Sequence, residues 1–115
     1  MDKQLDKTNG EEYIVTTTYS IFEWSIEKER INTSKHGVSF EEAISVFEDD
    51  KALYISDRLH SIDEERFIII GASNRLRILY VCHCYRGVDD RIRIISARKA
   101  TETERKIYER GLSDD

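Results

Sequence analysis

The spacing of apolar and polar residues predicts a strand, two helices, four more strands and a closing helix. Residues 20–24 alternate as a short strand, and Ser25 stands where a helix N-cap accepts a backbone N–H. A charged helix over residues 26–36 should end at Gly37, because glycine tolerates the positive φ of the residue that follows a helix. A second helix opens at Ser39. Ser39 and Glu42 form a Ser-x-x-Glu capping box, and Phe40, Ala43, Ile44 and Phe47 supply its apolar stripe. Residues 52–56 are a weaker strand, while 66–72 and 76–86 are strong ones joined by a turn short enough for a hairpin. After a turn at 87–90, residues 91–97 form the last strand. Thr101 and Glu104 then cap a helix that turns Ile107 and Tyr108 inward. The expected fold class is α+β, with one mainly antiparallel sheet.

Ahead of this pattern, residues 1–19 are mostly polar and are expected to form a flexible extension, leaving residues 20–115 as a single domain. A chain of 115 residues has enough apolar surface for one core. Its longest apolar run, residues 67–70, is far too short to cross a bilayer, and the first ten residues hold no apolar signal core. A cytoplasmic protein with no membrane contact is therefore expected. Cys82 and Cys84 stand two apart on a strand, which is poor disulfide geometry, and His83 between them points to the opposite face. Neither a disulfide nor a metal site is expected there, and no cofactor motif is present.

Net charge changes the picture only when it is resolved along the chain. The total is −5, which speaks against a nucleic-acid partner, but residues 66–99 carry eight basic and two acidic side chains. On the last two strands, alternation groups Ile78, Tyr80, Cys82 and Cys84 as a core face and leaves Leu79, Val81, His83 and Tyr85 on the other. By the same rule Ile92, Ile94, Ser96 and Arg98 oppose Arg91, Arg93, Ile95, Ala97 and Lys99. Such a sheet offers Arg91 and Arg93 to phosphates and His83 and Tyr85 to bases, although alternating charge is also the ordinary dress of a solvated sheet.

Metal-free RNA cleavage needs a base for the 2′-hydroxyl proton, an acid for the leaving 5′-oxygen and cations around phosphorus. His36, in the last turn of the first helix, and Glu65, beside Arg66, are candidates, though each also fits a plain role as helix-end charge or exposed ion pair.

At these residues the chain resembles the BrnT toxin family, whose members have a RelE-like fold. The resemblance rests on Phe22-Glu23-Trp24, on Asn32-x-x-Lys35-His36-Gly37-Val38-Ser39-Phe40-Glu41-Glu42-Ala43, and on His60-Ser61 with Glu64-Glu65-Arg66-Phe67. It continues through Arg93-Ile94-Ile95-Ser96-Ala97-Arg98-Lys99-Ala100-Thr101 to Glu104-Arg105 and Tyr108. It implies a ribonuclease that halts translation and is neutralised by a BrnA-type ribbon-helix-helix antitoxin, with operator DNA bound only through that antitoxin. It also raises Lys35, His36, Glu65, Arg66, Arg98 and Lys99 to expected catalytic residues. Two features depart from the family pattern: Ser25 stands where Asp is common, and some twenty residues precede Phe22. The rival readings are a non-catalytic module that docks an antitoxin or RNA, and an acid–base enzyme acting on a small molecule.

Overall fold

Trp24 and Phe22 on one short strand, Phe40, Ala43 and Val46 on the turns that follow, and Leu79, Val81 and Ile94 on two long strands are all buried against one another. This cluster organises the fold. The computed structural model describes residues 2–6, 11–60, 64–87 and 89–113. Residues 1 and 7–10, Ser61 and Val88, which carried part of the sequence reading, lie outside the described residues.

The chain runs β1 (Asp2–Asp6), β2 (Glu12–Thr16), β3 (Ile21–Ser25), α1 (Ile26–His36), α2 (Phe40–Ile44) and a 3-10 turn, Ser45–Glu48. It continues through β4 (Leu53–Ser56), a 3-10 turn at Arg58–His60, β5 (Phe67–Ala72), β6 (Ile78–Arg86), β7 (Arg91–Lys99) and α3 (Glu102–Ser113). Strands β2 to β7 form one sheet, extended at its edge by β1, in the order β1-β2-β3-β7-β6-β5-β4. The β3–β7 pair is parallel and the others are antiparallel, so the sheet is mixed.

All five strands expected from alternation are present, and two more precede them. The segment expected to be flexible holds β2, whose Val15 is buried in the main core and whose Tyr13 meets Trp24 edge-on at 6.0 Å. The apolar run Tyr13-Ile14-Val15 is too short to announce a strand; pairing with β3 creates it.

Caps follow the sequence closely. Ser25 Oγ accepts from Lys28 N, and Gly37, at φ 68°, returns its N–H to Thr33 O at 2.8 Å. Ser39 accepts from Glu42 N at 3.0 Å, yet the Glu42 side chain does not close its box. It is buried instead between Ser73 and Arg77.

Face assignment is where alternation fails. Ile94 stands opposite His83 and Ser96 opposite Cys82, so Ile95 is an extra residue in β7, and this bulge reverses the phase of everything after it. Ile92, Ile94 and Ala97 consequently share the face beneath α1 and α2, whereas Ile95 packs with Tyr80 and Cys82 on the side of α3. Leu79, Val81 and His83, expected on an open face, are fully buried in the larger core. Tyr108 is inside as expected, but Ile107 is 45% exposed.

Candidate functional site

Asn32 sets the position of the α1 terminus. Strand β3 pairs with β7 only at Phe22–Ile92 and Glu23–Arg93, so beyond it the edge of β7 needs other partners. Asn32 supplies them: its amide donates to Ala97 O at 2.8 Å and Val38 O at 3.0 Å, and its carbonyl accepts from Ala97 N at 3.1 Å. A second lock holds the following turn. Arg77 pairs with the buried Glu42 and donates to Gly37 O at 3.1 Å, while Ser73 Oγ donates to Glu42 at 2.7 Å. The Arg77 guanidinium holds the Glu42 carboxyl below its ordinary range, against the opposing effect of burial.

These locks carry Lys35 and His36 alongside the end of β7. Both line a hollow with Lys28, Ile31, Asn32 and Ile95. Ile95 and Tyr80 each pack against the cluster of Ile68, Ile70, Cys82 and Tyr108, and the Arg98 guanidinium lies over the Tyr80 ring at 3.8 Å. Lys35 and His36 thus border Ile95, which stands on β7 three residues before Arg98. Arg98 is bidentate with Glu104, at 2.7 and 3.0 Å, and Glu104 also closes the Thr101 capping box from both sides.

The bulge aligns Arg91, Arg93 and Arg98 on the α3 side of the sheet, and the β5–β6 register puts Arg66 there too. Arg66 and Arg98 do not meet, however. Two inter-strand spacings, with β6 between, and four residues separate them, about 10 Å across and about 13 Å along the sheet. Arg91 is held by Asp89, and Arg93 by Glu12 and Glu23, with only 12% of the Arg93 side chain exposed. Lys99, opposite Leu79, faces the helix side. Exposed Glu65 lies at the far end of the sheet beside Phe67, Tyr85 and Asp90, remote from Lys35 and His36.

His83, expected to stack on bases, is 0% exposed among Phe47, Phe67 and Tyr85. Burial pushes its ring down to about 4, so it is neutral at physiological pH. The alternation within β6 holds, but both of its faces are covered, and His83 falls on the one that had been left to solvent. Tyr85, on the same face nearer the strand end, is 44% exposed. Both cysteines are free and buried, and burial pushes the Cys82 thiol up to about 11. Among the described residues, no helix is long and apolar enough to cross a membrane. The contacts of Asn32 with β7 and of Glu104 with Arg98 were not read from the sequence, although the Thr101-x-x-Glu104 box had marked Glu104 as a cap.

Residues 24–104 match the family described as the ribonuclease toxin, BrnT, of type II toxin–antitoxin systems. The chain belongs to the BrnT toxin family. The matched stretch covers most of the molecule and takes in the α1 terminus, Arg66, Arg98 and Glu104. BrnT toxins being ribonucleases of type II systems, an RNA substrate and an antitoxin partner come with membership. No curated protein matches the chain closely enough to serve as a named relative.

Proposed function

We propose that this BrnT-family chain cleaves RNA without a metal, at the end of β7 between the Lys35–His36 turn and Arg98, and that this cleavage arrests translation. The 2′-oxygen bonds to the adjacent phosphorus as the bond to the 5′-oxygen breaks, leaving a 2′,3′-cyclic phosphate and a 5′-hydroxyl. His36 moves the proton, Arg98 grips the phosphate with its planar fork, and Lys35 offsets the charge that develops. Lys99 adds positive potential at the strand end. Arg66 and Arg91, further along the same face, hold other phosphates of the strand rather than the scissile one. Glu65 takes no step in this scheme, since it lies at the opposite end of the sheet.

The observation that supports the reading is that Ile95, which lines a hollow with Lys35 and His36, stands on β7 three residues before Arg98. The neutralising partner in this reading is a BrnA-type ribbon-helix-helix antitoxin, through which alone the complex reaches operator DNA. A RelE-like ancestry of the fold belongs to the same proposal.

The bidentate Arg98–Glu104 pair favours a second reading, a module that binds RNA without turnover, because the guanidinium is already occupied. Cleavage assays on purified variants separate the two. Arg98→Ala should lower the rate about a hundredfold to a thousandfold with unfolding temperature little changed, and Arg98→Lys should not restore it. An Arg98→Ala, Lys99→Ala double variant with full activity would overturn the assignment. RNA binding without turnover by the unaltered protein would favour the module.

A further inference from the structure

At the opposite end of the sheet from Arg98, three adjoining hollows of about 530, 460 and 580 Å³ share walls. Tyr85 and Asp90 belong to the first and second, and residues 17–20 of the β2–β3 turn to the second and third. They lie side by side as a row, called the groove from here on. Its apolar lining comes from Phe22, Ile44, Phe47, Phe67 and Ile92. Tyr19, 94% exposed, and the half-exposed Tyr85 stand on its walls.

Among the described residues, six carboxylates line the groove and none of the lining residues is Lys or Arg. Glu64 is paired with Arg86 and Asp89 with Arg91. Among the described residues no ion pair holds Glu48, Asp50, Glu65 or Asp90, so the groove keeps a negative potential. Behind its aromatic wall lies a polar group with nothing to accept from. His83 Nδ1 faces Val81 O at 3.4 Å, which leaves Nε2 as the acceptor of a neutral ring, fully buried and without a hydrogen-bond partner. Its ring is 4.9 Å from that of Phe47 and 5.6 Å from that of Tyr85.

We propose that this groove binds an extended, arginine- and lysine-rich segment of a partner protein. Each part of the surface matches one part of such a segment. Tyrosine faces attract guanidinium and ammonium groups, and the apolar floor takes their methylene stems. The carboxylates speed encounter and select for positive charge. The groove's length, across three hollows, suits a stretch of chain rather than a single small cation. The same potential repels phosphate, so the groove is not an extension of the RNA track. The proposal stands apart from the ribonuclease reading, since it uses neither Lys35, His36 nor Arg98.

The test uses the full chain and a short fluorescein-labelled peptide of alternating arginine and leucine, beside a control with glutamate for arginine. Anisotropy should show the arginine peptide binding, more tightly as salt is lowered, and the control not binding. Amide shifts should fall on residues 17–21 and 47–50 and on Tyr85, Asp89 and Asp90. A Glu48→Gln, Asp50→Asn, Asp90→Asn variant should bind about tenfold more weakly while cleaving RNA as before. Tyr19→Ser should also weaken binding. The proposal is overturned if the peptide does not bind, if its shifts lie elsewhere, or if the triple variant binds unchanged. It is equally overturned if an RNA oligonucleotide moves the same amides, or if the protein's own concentration does so through self-association.

Discussion

Asn32 replaces a strand. Where β3 stops, its side chain satisfies both backbone groups of Ala97 and one of Val38, so its removal strands buried donors and acceptors together. Asn32→Ala should cost about 2–4 kcal/mol, and Asn32→Asp little less, since its second oxygen would face two carbonyls. Urea midpoints check this. His83 gives the other residue-level prediction. Its ring titrates at about 4 in the fold and near 6.5 when exposed, so between these values the unfolded chain binds the extra proton. Stability is therefore full above about pH 6.5 and falls as pH drops towards 4, by about 3 kcal/mol in all from this group. In His83→Leu that part of the pH dependence should vanish from urea melts; an unchanged profile would show that other groups cause it. Neither role was legible beforehand, because an Asn in a charged helix and a His between two cysteines each have ordinary solvent-facing explanations.

Elements were legible where a local rule defines them. Ser25, Gly37 and the Thr101–Glu104 box mark helix ends through backbone needs that act within a few residues, and all three function as caps. The bulge at Ile95 was hidden because it arises from the register between β6 and β7, which no spacing within β7 records. It moved Arg98 onto the α3 side. Helix α3 is tied down by Tyr108, whose hydroxyl donates to Asp49 at 2.5 Å while Ala72 N donates to the same oxygen at 2.7 Å. Burial works to raise the Asp49 carboxyl, yet these two donors keep it below its ordinary value. Tyr108→Phe should cost about 1.5–3 kcal/mol and raise amide exchange in α3 well before the sheet opens. If α3 amides exchange no faster in this variant, the hydroxyl is not the tie.

Across the whole molecule, charge is segregated by position in the sheet rather than by sequence. The stretch at 66–99, with eight basic and two acidic side chains, contributes arginines to the α3 side and Asp89 and Asp90 to the acidic groove. The family and its fold class were within reach of motif order; the separation of Arg66 and Glu65 from the α1 terminus was not, because it depends on which strands lie between them. The account rests on RNA chemistry at the end of β7 that needs only protein side chains. The most direct measurement is the product ends formed from a defined RNA in excess EDTA, with and without a single 2′-deoxy substitution at the cut site. The account predicts undiminished cleavage to a 2′,3′-cyclic phosphate and a 5′-hydroxyl, abolished by the 2′-deoxy substitution and by Arg98→Ala. Cleavage that EDTA stops, or that survives loss of the 2′-hydroxyl, would contradict it.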